Sequence, residues 1–148
     1  MKCGLLGRKL GHSYSPQIHA HLGNYSYNQI EKEPEEIGNF LKNGDFTGIN
    51  VTIPYKKEVI PYLDEITPLA RRMGAVNTIV RRQDGTLLGH NTDYYGFSSM
   101  VSRSGISVSG KNAYYFQTTD DILTRGRMLN VIDENNMTFV CWINQEMI

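Results

Sequence analysis

Cysteine is scarce. Cys3 and Cys141 stand far apart with no CxxC spacing, which argues against a thiol-ligated zinc site or a disulfide framework. A reduced, cytoplasmic setting is the expected one. A charge excess of either sign is also missing. Fifteen basic residues balance fifteen acidic ones, so no long-range field favours nucleic acid or an anionic membrane. No apolar run approaches the roughly 20 residues needed to span a bilayer. The N-terminus opens at once into structured sequence, so no signal peptide is expected. Internal repeats and low-complexity tracts are lacking. What remains is a chain of 148 residues, 40% apolar and 20% charged, the profile of a soluble globular domain with its own core, or a domain plus a fragment.

Strand and helix signals alternate along it. Residues 2–6 form a short apolar run closed by Gly7 and Gly11, read as a strand. Ser15-Pro16 offers a capping hydroxyl and a proline at the first helical position; Ile18 and Leu22 follow at i,i+4, and Gly23 stops the helix. Residues 25–33 suit a second strand. Pro34 begins a helix carrying Ile37, Phe40 and Leu41 that ends near Gly44. Across 47–54, Ile49, Val51 and Ile53 alternate with Asn50, Thr52 and Pro54, so a strand would set three apolar side chains on one face and Asn50 with Thr52 on the other. Pro54 then opens a short helix that Pro61 interrupts or ends. Thr67-Pro68 and Gly74 bracket another helix. Residues 75–82, an Asp84-Gly85 turn and residues 86–90 read as a hairpin. Thr92 can cap a helix bearing Phe97, Met100 and Val101 before Gly105. The pattern predicts an α/β fold: a three-layer sandwich with a mostly parallel sheet plus one antiparallel hairpin strand.

Beyond that, 105–112 reads as a linker. Residues 113–116 suit a strand, 120–129 a helix and 137–143 a further strand, a βαβ-like segment without a glycine-rich turn. The expected organisation is a domain over 1–104, the linker, and an unassigned segment over 113–148.

Four polar clusters fall where α/β sheets place ligands, at carboxyl ends of strands and starts of helices. In His12-Ser13-Tyr14-Ser15-Pro16, Ser13 and Ser15 can donate to an anion near a helix N-terminus, although Ser15 as a plain helix cap is an equally physical role. In Asn50-Val51-Thr52-Ile53-Pro54-Tyr55-Lys56, two polar groups share a strand face with a lysine in the next helix's first turn. The helix dipole disfavours a cation there, which suits proton transfer; a solvated lysine beside Lys57 is the alternative. Asn77, in Gly74-Ala75-Val76-Asn77-Thr78, could orient a hydroxylated ligand or merely finish a turn. Asp93, in Asn91-Thr92-Asp93, falls in a helix first turn, where an acid is also common for stability alone. His12, His19 and His21 lack a carboxylate or cysteine to complete a metal set, and surface or loop roles are expected. Tyr94-Tyr95 and Tyr114-Tyr115-Phe116 have no basic stripe beside them, so packing is expected rather than base stacking.

Together, S-x-S-P, N-V-T-I-P-Y-K, G-A-V-N-T and G-H-N-T-D, in this order over residues 1–112, resemble shikimate dehydrogenase. That resemblance implies an NADP-dependent oxidoreductase that reversibly reduces 3-dehydroshikimate to shikimate in the route to aromatic amino acids. It implies that Ser13 and Ser15 hold the substrate carboxylate. By the same resemblance, Thr52, Asn77 and Asp93 match residues that bind ring hydroxyls, with Asn50 on the same strand face. Lys56 matches the catalytic lysine that, with Asp93, would move the proton on the oxygen being reduced.

Three features depart from the family pattern. The Gly-rich dinucleotide turn is absent where Ala113 to Asp120 stands, so no cofactor-binding residue is named. Later family segments that supply a tyrosine and a glutamine to the site have no counterpart, and His90 occupies G-H-N-T-D as tolerated variation. The implied protein is a truncated form whose isolated chain is inactive for lack of a nucleotide site, with shikimate or 3-dehydroshikimate as small-molecule partner, no nucleic acid, no membrane, and a homodimer left open. The alternatives are a non-catalytic shikimate-binding module and a quinate/shikimate dehydrogenase relative.

Overall fold

The computed structural model describes residues 1–11 and 13–105, together with the backbone of two short strands at 113–116 and 123–126. The chain divides into two compact units, Met1–Thr92 and Asp93–Ile148. In the first, the order is β1 (Lys2–Gly7), α1 (Ser15–Leu22), β2 (Ser26–Glu31), a 3-10 turn (Pro34–Glu36) running into α2 (Ile37–Asn43), β3 (Gly48–Val51), a 3-10 turn (Ile60–Tyr62), β4 (Glu65–Ile66), α3 (Pro68–Met73), β5 (Thr78–Arg81) and β6 (Leu87–His90). The second holds α4 (Asp93–Ser104) and the strands β7 (Ala113–Phe116) and β8 (Leu123–Gly126).

Six strands of the first unit form one sheet in the order β2-β1-β3-β5-β6-β4. β1 pairs parallel with both β2 and β3, and β4 pairs parallel with β6. Only β5 runs against the rest, antiparallel to β3 and to β6. This is the mostly parallel sheet with one reversed hairpin strand expected from the sequence. The reversal is local. Gly85 takes φ 87°, and the Asp84 carboxylate accepts from the Thr86 N–H at 2.9 Å and hydroxyl at 2.7 Å, an Asx-type turn between β5 and β6.

Register sorts the two faces of this sheet. Gly4, Ile49, Ile79 and Gly89 lie in one row across four strands, and Leu6 pairs with Val51 two residues on. That face is apolar: Leu6, Ile49, Val51 and Ile79 are buried with Ile37, Leu41, Val59, Ala70 and Val76 in one core. Burying each such side chain stabilises by about 1.5–3 kcal/mol. Thr67 caps α3 by accepting from the Ala70 N–H, and Gly74 closes it in the left-handed region at φ 65°, the start and stop that the sequence signals predict.

Several elements differ from expectation. The 47–54 strand ends at Val51, and Ile53 is 61% exposed rather than third in an apolar stripe. No helix follows Pro54. Residues 53–59 make successive turns after a cis Ile53–Pro54 peptide, and helical geometry returns only as the 3-10 turn at Ile60–Tyr62, with Pro61 inside it. Ser15 is the first residue of α1 rather than its cap; Tyr14 holds the cap position without a side-chain bond. The two-residue β4 was not expected. Within the proposed 120–129 helix, Leu123–Gly126 instead forms β8, antiparallel to β7; Gly126 and the β-branched Thr124 both weaken a helix there. The remainder of the expected linker after Gly105, and the strand at 137–143, lie outside the described residues.

Candidate functional site

The opposite face of the sheet carries a polar strip beside Leu5, Val80 and Leu88. Gln29, Leu5, Asn50, Thr78 and His90 occupy one cross-strand row, with Tyr27 and Cys3 in the next. The Tyr27 hydroxyl spans β1 and donates to Asn50 Oδ1 at 2.8 Å; Asn50 Nδ2 donates to Thr78 Oγ1 at 3.3 Å; the Thr78 hydroxyl donates to Asn77 Oδ1 at 3.1 Å. Asn77 Oδ1 also accepts from the Thr92 N–H at 2.8 Å, and Asn77 Nδ2 donates to Thr92 Oγ1 at 2.9 Å. Four donors therefore run in one direction from β2 to the end of β6, and such chains polarise one another.

His19, one turn along α1 from Ser15, closes this strip at one end. Its ring stacks on Tyr27 at 3.7 Å and 12°, and Nδ1 meets the Tyr25 hydroxyl at 2.7 Å. Burial lowers the His19 pKa below the usual imidazole value, and hydrogen bonding to Asn50 opposes this more weakly. Burial pushes the Tyr27 phenol up to about 12; a hydrogen bond with the Ser15 side chain is the largest opposing effect. Tyr27 is thus a neutral donor at any ordinary pH.

Asn50 and Asn77 share one network through Thr78, and Ser15 enters it through Tyr27. Ser13 sits in the β1–α1 connection, its N–H on Leu10 O at 2.9 Å and its Oγ accepting from the Ser15 N–H at 3.3 Å. Thr52 directly follows β3, its N–H on Leu6 O at 2.9 Å. Gly7 packs against it: a Cβ there would come within 2.8 Å of the Thr52 methyl. Lys56 lies in the turns after β3 and is tied through its carbonyl to the Val76 N–H at 2.8 Å, one residue before Asn77. Because no helix begins at Pro54, the dipole argument for Lys56 loses its physical basis. Asp93 opens α4 in the second unit, immediately after Thr92. His12 lies outside the described residues.

Sequence reasoning missed Tyr27, His19 and Thr78. His19 was expected at the surface or in a loop, yet it is half-buried against two tyrosines. Its i+4 spacing from Ser15 was legible; that Tyr27 reaches Asn50 follows only from the β2–β1–β3 register.

An α/β sheet with one apolar face and one hydrogen-bonded polar strip at the strand ends is the architecture of a small-molecule-binding domain. The shikimate dehydrogenase substrate binding domain model matches residues 5–79, and the chain belongs to that family. It is 51% identical over 110 residues to the shikimate dehydrogenase (NADP(+)) of Halothermothrix orenii, covering 66% of this chain and 36% of that one. A crystal structure of shikimate dehydrogenase 1 from Peptoclostridium difficile superposes with TM-score 0.68 at 43% identity, over 75% of this chain and 44% of that one. The Thermus thermophilus shikimate 5-dehydrogenase in complex with shikimate gives TM-score 0.67 at 36% identity, over 74% and 45%. The chain thus spans less than half the length of each of these relatives.

The relatives' cofactor finds no matching cradle among the described residues. Those that follow α4 form the antiparallel pair β7–β8, whereas a dinucleotide site needs a strand, a glycine-rich turn and a helix N-terminus.

Proposed function

We propose that this chain is the substrate-binding and proton-transfer part of an NADP-dependent shikimate dehydrogenase, acting on 3-dehydroshikimate and shikimate. The observation that carries the reading is the continuous polar strip from Tyr27 through Asn50 and Thr78 to Asn77, in a chain whose relative binds shikimate. Ser13 and Ser15, before and at the start of α1, receive the carboxylate. Asn50, Thr52, Asn77 and Asp93 receive the ring hydroxyls. As a carbonyl is reduced, negative charge develops on its oxygen, and Lys56 and Asp93 move the proton that quenches it. In this proposal the substrate domain runs over 1–104, followed by a linker over 105–112; the family match at residues 5–79 lies within that domain. A cytoplasmic setting and a homodimer belong to the same proposal, the former supported by the low cysteine content.

Titrating shikimate into the 148-residue chain tests this reading. Ser13→Ala with Ser15→Ala should weaken binding by about 1–3 kcal/mol, roughly 5- to 150-fold, the scale of hydrogen bonds to a charged group. Unchanged affinity in that double variant would remove the carboxylate assignment. Mixed with shikimate and NADP, the same chain should show no sustained reduction of the cofactor, because no glycine-rich turn is present between Ala113 and Ile148. Turnover that disappears in Lys56→Ala would show that the residues after 112, or a second copy of the chain, hold the nucleotide.

A further inference from the structure

Asn50 is the one proposed ligand-binding side chain at the centre of the polar row, and its value depends on which way its carboxamide faces. A primary amide presents an oxygen with two lone pairs and a nitrogen with two hydrogens. A half-turn about its last bond exchanges donor for acceptor at every position. Here Oδ1 accepts from the Tyr27 hydroxyl at 2.8 Å and Nδ2 donates to Thr78 Oγ1 at 3.3 Å. Thr78 alone does not decide between the two faces, since its hydroxyl can both donate and accept. Tyr27 and His19 together decide. The Ser15 side chain donates to the Tyr27 oxygen, leaving the phenol hydrogen for Asn50, and the His19 ring also hydrogen-bonds to Asn50, so both favour the oxygen.

Tyr27 is itself held. The His19 ring lies flat on it at 3.7 Å and 12°, and the Tyr25 hydroxyl, 2.7 Å from His19 Nδ1, fixes that ring in turn. Two aromatic residues, His19 on α1 and Tyr25 just before β2, thus restrain the Tyr27 phenol, which restrains one amide on β3.

We propose that Tyr27, clamped by His19, is a positioning residue that holds the Asn50 carboxamide with its oxygen turned inward and one N–H left for the oxygen of a secondary hydroxyl of the ligand. A secondary hydroxyl accepts through its oxygen, so an amide whose N–H is fixed toward it recognises it better than a flipping one. The ordering is completed before the ligand arrives, which reduces what binding must immobilise. This inference rests on the proposed reading of the site as a shikimate pocket.

The test uses the full 148-residue chain, shikimate titration and the side-chain amide signals of Asn50 by 15N NMR. Tyr27→Phe keeps the ring against His19 and removes only the hydroxyl. It should lower shikimate affinity about 5- to 10-fold, the scale of one lost neutral hydrogen bond. It should also shift the Asn50 NH2 pair toward solvent-amide values and speed its rotation, a change that a purely structural role would not produce. Asn50→Ala should lose a similar factor, and adding Tyr27→Phe to it should change little more, since both act through one amide. If wild type binds and Asn50→Ala weakens it while Tyr27→Phe leaves affinity and the amide signals unchanged, this inference alone is overturned. If wild type does not bind shikimate, the reading of the site falls and this inference falls with it.

Discussion

The two faces of the six-stranded sheet are built from the same strands yet obey opposite rules. On β3, Ile49 and Val51 are each 2% exposed, while Asn50 between them is half-buried. On β5, Ile79 is fully buried, while Thr78 and Val80 on either side are not. One face gains its stability from shape, with apolar side chains closing on each other across β1, β3 and β5. The other gains order from direction, with hydroxyls and amides aligned so that each donor has one acceptor. The first tolerates little change of volume; the second tolerates little change of hydrogen-bonding group. The contrast explains how a chain of this size holds a polar strip open: the work of folding is done on the far side.

The sharpest way to break that contrast is to cut one side chain from each face. Ile49→Ala should cost about 2–5 kcal/mol of unfolding free energy, because the packed row with Ile79 cannot collapse around the gap. Urea denaturation would show this as a lower midpoint at unchanged slope. Thr78→Val, which keeps the volume and removes only the hydroxyl, should cost far less while weakening shikimate binding. If the two variants lost equal stability, the division of labour between the faces would be wrong.

A smaller effect is expected at the rim of the apolar face, where Arg81 is the polar exception. Its guanidinium donates to Leu41 O at 2.7 Å and Gly44 O at 3.2 Å, and lies over the Phe46 ring at 4.4 Å, although Nε finds no partner. It satisfies carbonyls at the end of α2 that no helical N–H reaches. Arg81→Met should cost about 1–3 kcal/mol, the usual scale for leaving such acceptors unpaired. Arg81→Lys should recover only part of this, since one nitrogen, Nη2, serves both carbonyls and an ammonium can take its place, but it has no planar face to stack on Phe46. Full recovery by lysine would mean that charge alone matters at this position.

The apolar face was the more legible of the two in the sequence. Period-2 alternation at Ile49 and Val51, the Thr67-Pro68 start, the Gly74 stop and the Asp84-Gly85 turn are local signals, and each appears where it was read. The motifs also brought Ser13, Ser15, Asn50, Thr52, Lys56 and Asn77 forward as site residues. Two kinds of information were not local. Ile53 continues the alternation on paper, but β3 stops two residues earlier, at Val51, and successive turns begin at Ile53. Tyr27 carries no motif, and its role exists only because β1 pairs with β2 on one side and β3 on the other. A helix expected after Pro54 failed for a related reason: a lysine placed by turns and by a bond to Val76 looks, in sequence, like a lysine placed by a first helical turn.

The smallest effect concerns His19, where the two kinds of face meet in one residue: a half-buried imidazole that stacks as an aromatic and titrates as a base. Burial lowers its pKa from the ordinary 6.5, and the hydrogen bond with Asn50 opposes this more weakly. The folded chain therefore gives up this proton at a lower pH than the unfolded chain does. Between the two values the unfolded state binds more protons, so unfolding free energy rises with pH across that window. The contribution is fully present above 6.5 and is lost as pH falls through the folded value. His19→Phe retains a ring for Tyr27 to stack on and removes the titration, so it should flatten stability against pH just below 6.5 while leaving the neutral-pH value nearly unchanged. Comparing thermal or urea midpoints of the two proteins between about pH 7.5 and 5, written as a difference, isolates His19 from every other titrating group. A difference that stays constant with pH would mean that the ring is free to take up its proton in the folded state. It would then not be held between Tyr25, Tyr27 and Asn50 as the structure has it.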